Sequence, residues 1–352
     1  MSLNFRESYN MKSIIIGVDL AVKVIQVCVY TNNKVQSNTE MTPKQFSAYL
    51  STLIPSKVVF ESCAGANYWS QLASSYGHNA RLISPRLVKV VRQNQKTDKN
   101  DALAIVQASL LPDINFVTPK TSQQQQVQSM LKLREQCIKQ RTALKNQLMA
   151  LLREFNISSD RSVSGLISTI QDVLEDAENG FTAPFRRMLK TSLSLYLTLS
   201  EAIDSYDEVL NDWVNSTPEC KKLLKIEGIG KLNAIHLYIG LSTDELGQFK
   251  AGKDAAACIG LTPLQHSSGG KVKLGTIGRR KNTSLRSLLI TGAMSVVQQV
   301  VKREAKTSKE VWLKALIERR GKKCAAVALA NKNVRTAFAL LKSQSEYKAM
   351  LV

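Results

Sequence analysis

Four carboxylates in the first hundred residues have the types and positions for metal chemistry. Asp19 closes the apolar run Ile14-Ile-Ile-Gly-Val-Asp19, and Glu61 closes Val58-Val-Phe60. Each acid therefore falls at the exit of a β-rich run, and neighbouring strand ends in one sheet would bring the two together. The stretch Lys96-Thr-Asp-Lys-Asn-Asp101 adds Asp98 and Asp101, spaced i and i+3 on one face of an incipient helix. Any one of these acids could be a cap or a solvated strand end, so the inference rests on all four converging. Clustered carboxylates repel one another unless hard divalent cations neutralise them. Two such ions a few ångströms apart activate an attacking oxygen and stabilise a leaving oxygen on phosphorus. The reaction class implied is phosphoryl transfer on a nucleic-acid backbone.

The elements that would carry these acids read as α/β up to about residue 120. Runs at Ser13–Asp19, Val24–Tyr30, Val58–Glu61 and Ala80–Ile83 have strand character, and Pro43–Leu53, Tyr68–Ser75 and Asp101–Leu111 are helical in pattern. Val24–Tyr30 follows the first strand so closely that a hairpin, and hence a mixed sheet, is expected. The middle of the chain is helical. Met130, Leu133, Cys137, Leu144, Leu148, Leu151 and Phe155 recur at helical spacings, and Leu189, Tyr196, Ile203 and Leu210 fall seven apart, with Leu199, Tyr206 and Trp213 three places on. That seam predicts a helical hairpin or coiled coil, serving either internal packing or oligomerisation. The acidic segment Asp172–Gly180 reads as a solvated connection between the two helical stretches. The resulting division is 11–120, 121–217 and 218–352.

Charge narrows the partners. The 352-residue chain carries 48 Lys+Arg against 28 Asp+Glu, a net charge of +20. Residues 221–352 hold 25 of the bases and only 8 of the acids. So segregated a basic block is the footprint of a polyanion, and it argues against a small-molecule substrate such as a sugar. Six cysteines without a C-x-x-C pair read as reduced thiols, and three histidines without chelating spacing exclude a His-based zinc site. No window approaches the roughly 18 apolar residues of a membrane span, and the N-terminus shows no signal-peptide pattern, so a cytoplasmic location without membrane association is expected.

Within the basic block, Leu224-Lys-Ile-Glu-Gly228-Ile-Gly230-Lys231 fits a helix-hairpin-helix pattern. There Gly228 and Gly230 would let backbone N–H groups approach a phosphate while Lys231 adds charge; a plain interhelical turn fits the same residues. Further on, Gly260-Leu-Thr-Pro-Leu-Gln-His-Ser-Ser-Gly-Gly270 leads into the acid-free run Lys271–Arg286, in which Lys271, Lys273, Arg279, Arg280, Lys281 and Arg286 are candidate phosphate contacts. His266 stands beside the serines, and no motif nearby supplies a general base.

These motifs together resemble one family. Gly17-Val-Asp19, Phe60-Glu61-Ser-Cys-Ala-Gly65 and Lys96-Thr-Asp98-Lys-Asn-Asp101-Ala are similar to the Asp-Glu-Asp-Asp quartet of the DEDD transposases of bacterial insertion sequences, a family that includes the Piv DNA invertases. The C-terminal Ala257-Cys-Ile-Gly260-Leu-Thr-Pro263, His266-Ser-Ser-Gly-Gly270 and Leu285-Arg286 resemble that family's second transposase domain. The likeness runs from about Lys12 over nearly all of the chain.

The resemblance implies an RNase H-like, RuvC-like fold for the first domain, a helical coiled-coil middle, and a mostly helical, Gly/Ser- and Lys/Arg-rich C-terminal transposase domain. It implies that Asp19, Glu61, Asp98 and Asp101 bind magnesium, as two ions. It also implies a nucleophilic serine, aligned at Ser268 with Ser267 as the alternative, and a structured guide RNA that pairs with donor and target DNA in a dimer or tetramer. The expected function is a DNA transposase or site-specific recombinase. A RuvC-like structure-specific nuclease that hydrolyses DNA with the four acids alone is the alternative, and it would not need Ser268. A non-catalytic nucleic-acid-binding protein is a third reading, which would not need divalent metal.

Affinity for nucleic acid is expected to fall steeply with salt. Neutralising Arg279, Arg280 and Lys281 together should reduce the log–log slope by roughly one unit for each side chain that contacts phosphate. Anisotropy titrations over a salt series check this, and an unchanged slope would remove these three from the interface.

Overall fold

The computed structural model describes residues 14–160, 162–241, 249–278 and 283–351. In chain order the elements are β1 Ile15–Leu20, β2 Ile25–Thr31, β3 Lys34–Met41, α1 Pro43–Thr52, β4 Lys57–Glu61, α2 Ala66–Ser75, β5 Asn79–Ile83, α3 Pro85–Val91 and α4 Asp98–Ser109. Helices α5 Ser122–Glu154, α6 Val163–Glu175, α7 Ala183–Ser216, α8 Pro218–Leu224, α9 Lys231–Leu241 and α10 Gly252–Ile259 follow. The chain then forms β6 Pro263–Gln265, β7 Leu274–Ile277, α11 Thr283–Val300 and α12 Ser308–Ser343. The described residues divide into two compact units, one within Met1–Gln125, Ile239–Arg286 and Asn331–Ser345, the other within Gln126–Tyr238, Ser287–Ala330 and Glu346–Val352.

The first unit is built on a five-stranded sheet in the order β3-β2-β1-β4-β5. β1 pairs antiparallel with β2 and parallel with β4, and β4 pairs parallel with β5. The expected hairpin is there, and the mixed sheet flanked by helices is the RNase H-like topology that the resemblance implies. Alternation sorts the side chains onto two faces. Ile16, Val18, Val58, Phe60 and Leu82 pack with Phe46 of α1 and Ala66 and Ala73 of α2, while Ile15, Cys28, Val59 and Ile83 pack with α4.

Among residues 14–120, two elements are absent from the sequence expectation, and further on the β6–β7 hairpin stands where only a Gly/Ser-rich loop was expected. β3 (KVQSNTEM) is a polar, largely exposed edge strand with no apolar alternation to betray it. It is formed because Asn32 and Asn33, both at positive φ, make the two-residue turn that returns the chain beside β2. α3 is only seven residues long and opens with Pro85 at its N-terminus.

In the second unit, α7 buries Leu189, Tyr196, Ile203 and Leu210, the predicted heptad line. On α5 the buried positions are Val127, Leu131, Leu148 and Leu152, so the expected seam is shifted, with Leu133, Leu151 and Phe155 exposed. Arg134 of α5 donates two hydrogen bonds to the Asp207 carboxylate of α7, at 2.7 and 2.9 Å. The segment read as a solvated connection from Asp172 begins later. Residues 172–175 are the last turn of α6, drawn in because Val173 is buried against α5 and α7. All six cysteines are free thiols, as expected, and among the described residues no helix is long and apolar enough to cross a membrane.

Gly17, in the middle of β1, fixes how closely α4 approaches the sheet. A Cβ there would lie 2.4 Å from the Ala102 carbonyl oxygen and 2.6 Å from a Val106 methyl, both on α4. Gly17→Ala should therefore lower stability by about 1–3 kcal/mol through overpacking. Gly240→Ala, at an exposed helical site with open space around it, should be neutral or slightly stabilising. Urea denaturation of the two variants tests the contrast.

Candidate active site

The four acids sit at one end of the five-stranded sheet. Asp19 and Glu61 are the penultimate residue of β1 and the last residue of β4, adjacent parallel strands. Asp98 and Asp101 occupy the first turn of α4, where the N-terminal dipole favours anions. That helix starts where it does because the Thr97 hydroxyl accepts a hydrogen bond from the Asn100 N–H at 3.2 Å and the Asn100 amide donates to the Gln95 carbonyl at 2.8 Å. Gly17 then lets the helix lie against β1.

The acids feel one another. Burial raises the Asp19 carboxyl above its ordinary range, and Asp101 and Asp98 push it further, with Lys96 opposing. Glu61 is likewise raised by burial first, then by Asp19 and Asp101, with Lys96 and Arg92 opposing. Asp101 is buried, and its carboxylate is held by the guanidinium of Arg92, which follows α3, at 2.6 Å. Asp98 is exposed.

A second layer holds this arrangement. Gln26 lies opposite Asp19 in the β1–β2 ladder and so shares its face. Its amide donates to Asn38 of β3 at 2.7 Å, and Asn38 donates to the Lys99 carbonyl of α4 at 2.9 Å. The buried Gln26 Oε1 has no hydrogen-bond partner. Sequence reasoning missed Arg92, Gln26 and Asn38. Asn38 belongs to a strand with no apolar pattern, Arg92 follows a helix too short to show one, and Gln26 interrupts a hydrophobic run without any motif.

The donor set suits a hard divalent cation, since it offers carboxylate oxygens alone and a carboxamide oxygen, Gln26 Oε1, without a partner on the same face. Among the described residues no three acids, histidines or cysteines are drawn close enough to form a ready-made site.

The candidate serine lies elsewhere in the first unit, at the tip of the β6–β7 hairpin. The Lys271 N–H donates to the Ser268 carbonyl at 3.1 Å, and Gly269 and Gly270 both have positive φ, the two-residue turn that suits a hairpin's twist. Ser268 is thus presented by a defined turn. The Ser267 hydroxyl is engaged by the Gln265 amide at 2.8 Å, whereas the Ser268 hydroxyl has no hydrogen-bond partner among the described residues. Leu264, Val272 and Leu274 of this hairpin are exposed, as are Lys271 and Lys273.

Other predicted contacts have varied surroundings. Gly228, at φ +83°, packs against Gly292 of α11, so close approach of two backbones already requires a glycine there. Gly230, which precedes α9, has open space at its Cβ position, and Lys231 at the start of α9 is exposed. Arg286 donates to the Gly278 carbonyl beside Gly260. Arg279, Arg280 and Lys281 lie outside the described residues.

Comparisons with known proteins agree over both halves. The family described as Transposase IS116/IS110/IS902 matches residues 220–309, and a DEDD transposase family matches residues 16–157, which include all four acids. A relative from Coxiella burnetii named as the transposase for insertion sequence element IS1111A is 38% identical over 96% of this chain and 93% of its own length. A probable family 20 transposase from Pseudomonas aeruginosa is 35% identical over 95% and 98%. The pilin gene-inverting protein of Moraxella lacunata is 25% identical over 86% and 91%.

The raised Asp19 carboxyl carries a pH prediction. Because its value in the folded chain lies above the unfolded one, its charge opposes folding. That penalty is fully present above the raised value and vanishes as pH falls below the ordinary carboxylate range. In chelator, Asp19→Asn should melt higher than the parent at pH 7, and the gap should close on acidification. Melting curves between pH 3 and 8 measure it, and a gap that widens at low pH would contradict the assignment.

Proposed function

Because the chain belongs to the IS116/IS110/IS902 transposase family and is a DNA transposase/recombinase, we propose that Asp19, Glu61, Asp98 and Asp101 carry its strand cleavage and joining. The observation that supports this is the placement of Asp19 and Glu61 at the ends of adjacent parallel strands with Asp98 and Asp101 in the first turn of the helix packed on that sheet. With magnesium as the divalent cation, two ions held among these oxygens would supply Lewis-acid activation of the attacking oxygen and charge stabilisation at the scissile phosphate. The chain's own part is positional. Asp19 and Glu61 are fixed by the parallel pairing of β1 and β4, and Asp98 and Asp101 by the cap and close seating of α4. Asp98, being exposed, is the acid best placed to meet an incoming strand first, and Asp101 becomes available as Arg92 shifts from its carboxylate to a phosphate oxygen.

The nucleophile has two readings. Chemistry centred on the four acids needs only water or a DNA hydroxyl, and the acid quartet favours it. A covalent step through Ser268 is supported by the unpartnered hydroxyl at a Gly-Gly hairpin tip flanked by Lys271 and Lys273. In that reading the Ser268 oxygen forms a bond to phosphorus as the bond to a DNA 3′ or 5′ oxygen breaks, the serine proton is given up and the displaced DNA oxygen takes up a proton to leave as a hydroxyl, and the new serine–DNA phosphodiester conserves the bond for rejoining. Lys271, Lys273, Lys231 and the arginines 279, 280 and 286 would neutralise donor and target backbones, and the backbone N–H groups of the Gly228–Gly230 turn would approach a phosphate. A guide RNA would use the same basic block. Assembly as a dimer or tetramer is supported by exposed apolar side chains on the long helices, among them Leu133, Leu151 and Leu195.

Alanine at Asp19, Glu61, Asp98 or Asp101 should reduce cleavage of labelled element-end DNA by at least about 100-fold while leaving the fold intact. The serine is tested in the same assay on a denaturing gel. A protease-sensitive protein–DNA band, lost in Ser268→Ala and retained in Ser267→Ala, establishes the covalent route. Free ends at undiminished yield in Ser268→Ala leave the acids as the whole catalytic apparatus.

A further inference from the structure

Two polar side chains of the first unit link the strand that carries Asp19 to the helix that carries Asp98 and Asp101. Alternation puts Ile15, Gly17 and Asp19 of β1 on the face that α4 covers, since Ile15 packs with that helix and a Cβ on Gly17 would collide with it. In β2, Gln26 stands opposite Asp19 and two places before Cys28, which also packs with α4. Cys28 is in turn opposite Asn38 of β3. Asp19, Gln26 and Asn38 therefore share the α4 side of the sheet, on three successive strands.

One atom dictates the direction of the link. The Lys99 carbonyl, between Asp98 and Asp101 in the first turn of α4, can only accept a hydrogen bond. Asn38 turns its amide nitrogen toward that oxygen, at 2.9 Å, which leaves its own Oδ1 facing Gln26. Gln26 must then offer its amide nitrogen, and does so at 2.7 Å. The remainder is Gln26 Oε1, buried and without a partner. Such an unsatisfied acceptor costs stability, and an apolar side chain of the same length would avoid the cost. Gln26 is 1% exposed among Ile25, Val27 and Cys28, all fully buried. Burial alone would not choose glutamine there, so what it contributes is the bond to Asn38.

That bond supplies a constraint that the other contacts of α4 do not. Close packing on Gly17 sets the distance of the helix from β1, and the Thr97 cap sets its first residue. Asn38 adds a tether from a third strand, made to a backbone atom that lies between the two helical acids. A small hard cation such as magnesium holds its oxygens at about 2.0–2.1 Å in a nearly ideal octahedron, so its affinity falls when ligands are displaced by fractions of an ångström.

We propose that Gln26 and Asn38 are positioning residues for the divalent cation, a relay in series from the β2 residue opposite Asp19 to the first turn of α4 that sets the affinity of the acids for the metal. The proposal rests on the reading of Asp19, Glu61, Asp98 and Asp101 as the cation's ligands. Neither relay residue touches the reacting atoms. Their contribution is to keep the helical pair of acids in register with the strand pair.

The test titrates the full chain with Mn2+, reading the free ion by electron paramagnetic resonance without nucleic acid, so that no strand is cut. The variants are Gln26→Met, Asn38→Ala and the two combined, each checked for folding by circular dichroism and by melting in chelator. Gln26→Met removes the orphan oxygen and should melt no lower than the parent, while its Mn2+ affinity falls about tenfold or more, as does that of Asn38→Ala. The combined variant should bind no more weakly than the weaker single one, because the two side chains act in series. Affinities equal to the parent's in folded Gln26→Met and Asn38→Ala overturn the proposal, and so do losses that multiply in the combined variant. A Gln26→Met chain that melts well below the parent assigns the glutamine to stability and overturns it as well. Should Asn38→Ala fail to fold, an unchanged affinity in Gln26→Met alone is decisive against it. A parent that binds no Mn2+, or an Asp19→Asn chain that binds as tightly as the parent, removes instead the four-acid reading, and the relay with it.

Discussion

The first unit depends on the near-contact between α4 and β1. Two of the four acids ride on a helix and two on strand ends, so placing them at one end of the sheet requires the helix axis to pass closer to the sheet than an ordinary side chain allows. The missing Cβ of Gly17 grants that approach, with Ala102, which is fully buried, as the small residue facing it. Everything else about the acids follows from this contact. The cap at Thr97 fixes where α4 begins, the pairing of β1 with β4 fixes Asp19 beside Glu61, and Asn38 ties the helix start to the strand on the far side of the hairpin.

The same unit separates charge by sign along its strands. β4 begins in a lysine and ends in a glutamate, so anion-attracting and cation-attracting ends lie one short strand apart. Such polarity suits a protein that must hold a phosphate backbone without letting its own acids repel it. The basic block of residues 221–352 adds the long-range attraction, falling off within about a Debye length of roughly 8–10 Å at moderate salt.

The sequence made the acids legible because chemistry had overridden the local pattern there. A carboxylate closing an apolar strand contradicts what burial alone would choose, and two such contradictions aligned by strand pairing mark a candidate site. The heptad line of α7 was legible for the opposite reason, since Leu189, Tyr196, Ile203 and Leu210 obey burial without exception. The α5 seam misled because that helix carries apolar residues on more than one face, so periodicity fixed its type and not its buried side. β3 was invisible, for a polar edge strand is specified by its Asn-Asn turn and its partner rather than by its own composition. Arg92 was invisible too, because an ion pair nine residues apart across a helix start leaves no periodic trace.

Arg92 also bears on how the chain survives before it meets its substrate. A cluster of four like charges would ordinarily make folding conditional on a cation, as in small metal-dependent domains that unravel when stripped. By keeping a guanidinium on Asp101, the protein carries part of its own neutralisation. With Arg92 in place, part of the repulsion among these carboxylates is met inside the chain, and folding leans that much less on any cation from solution.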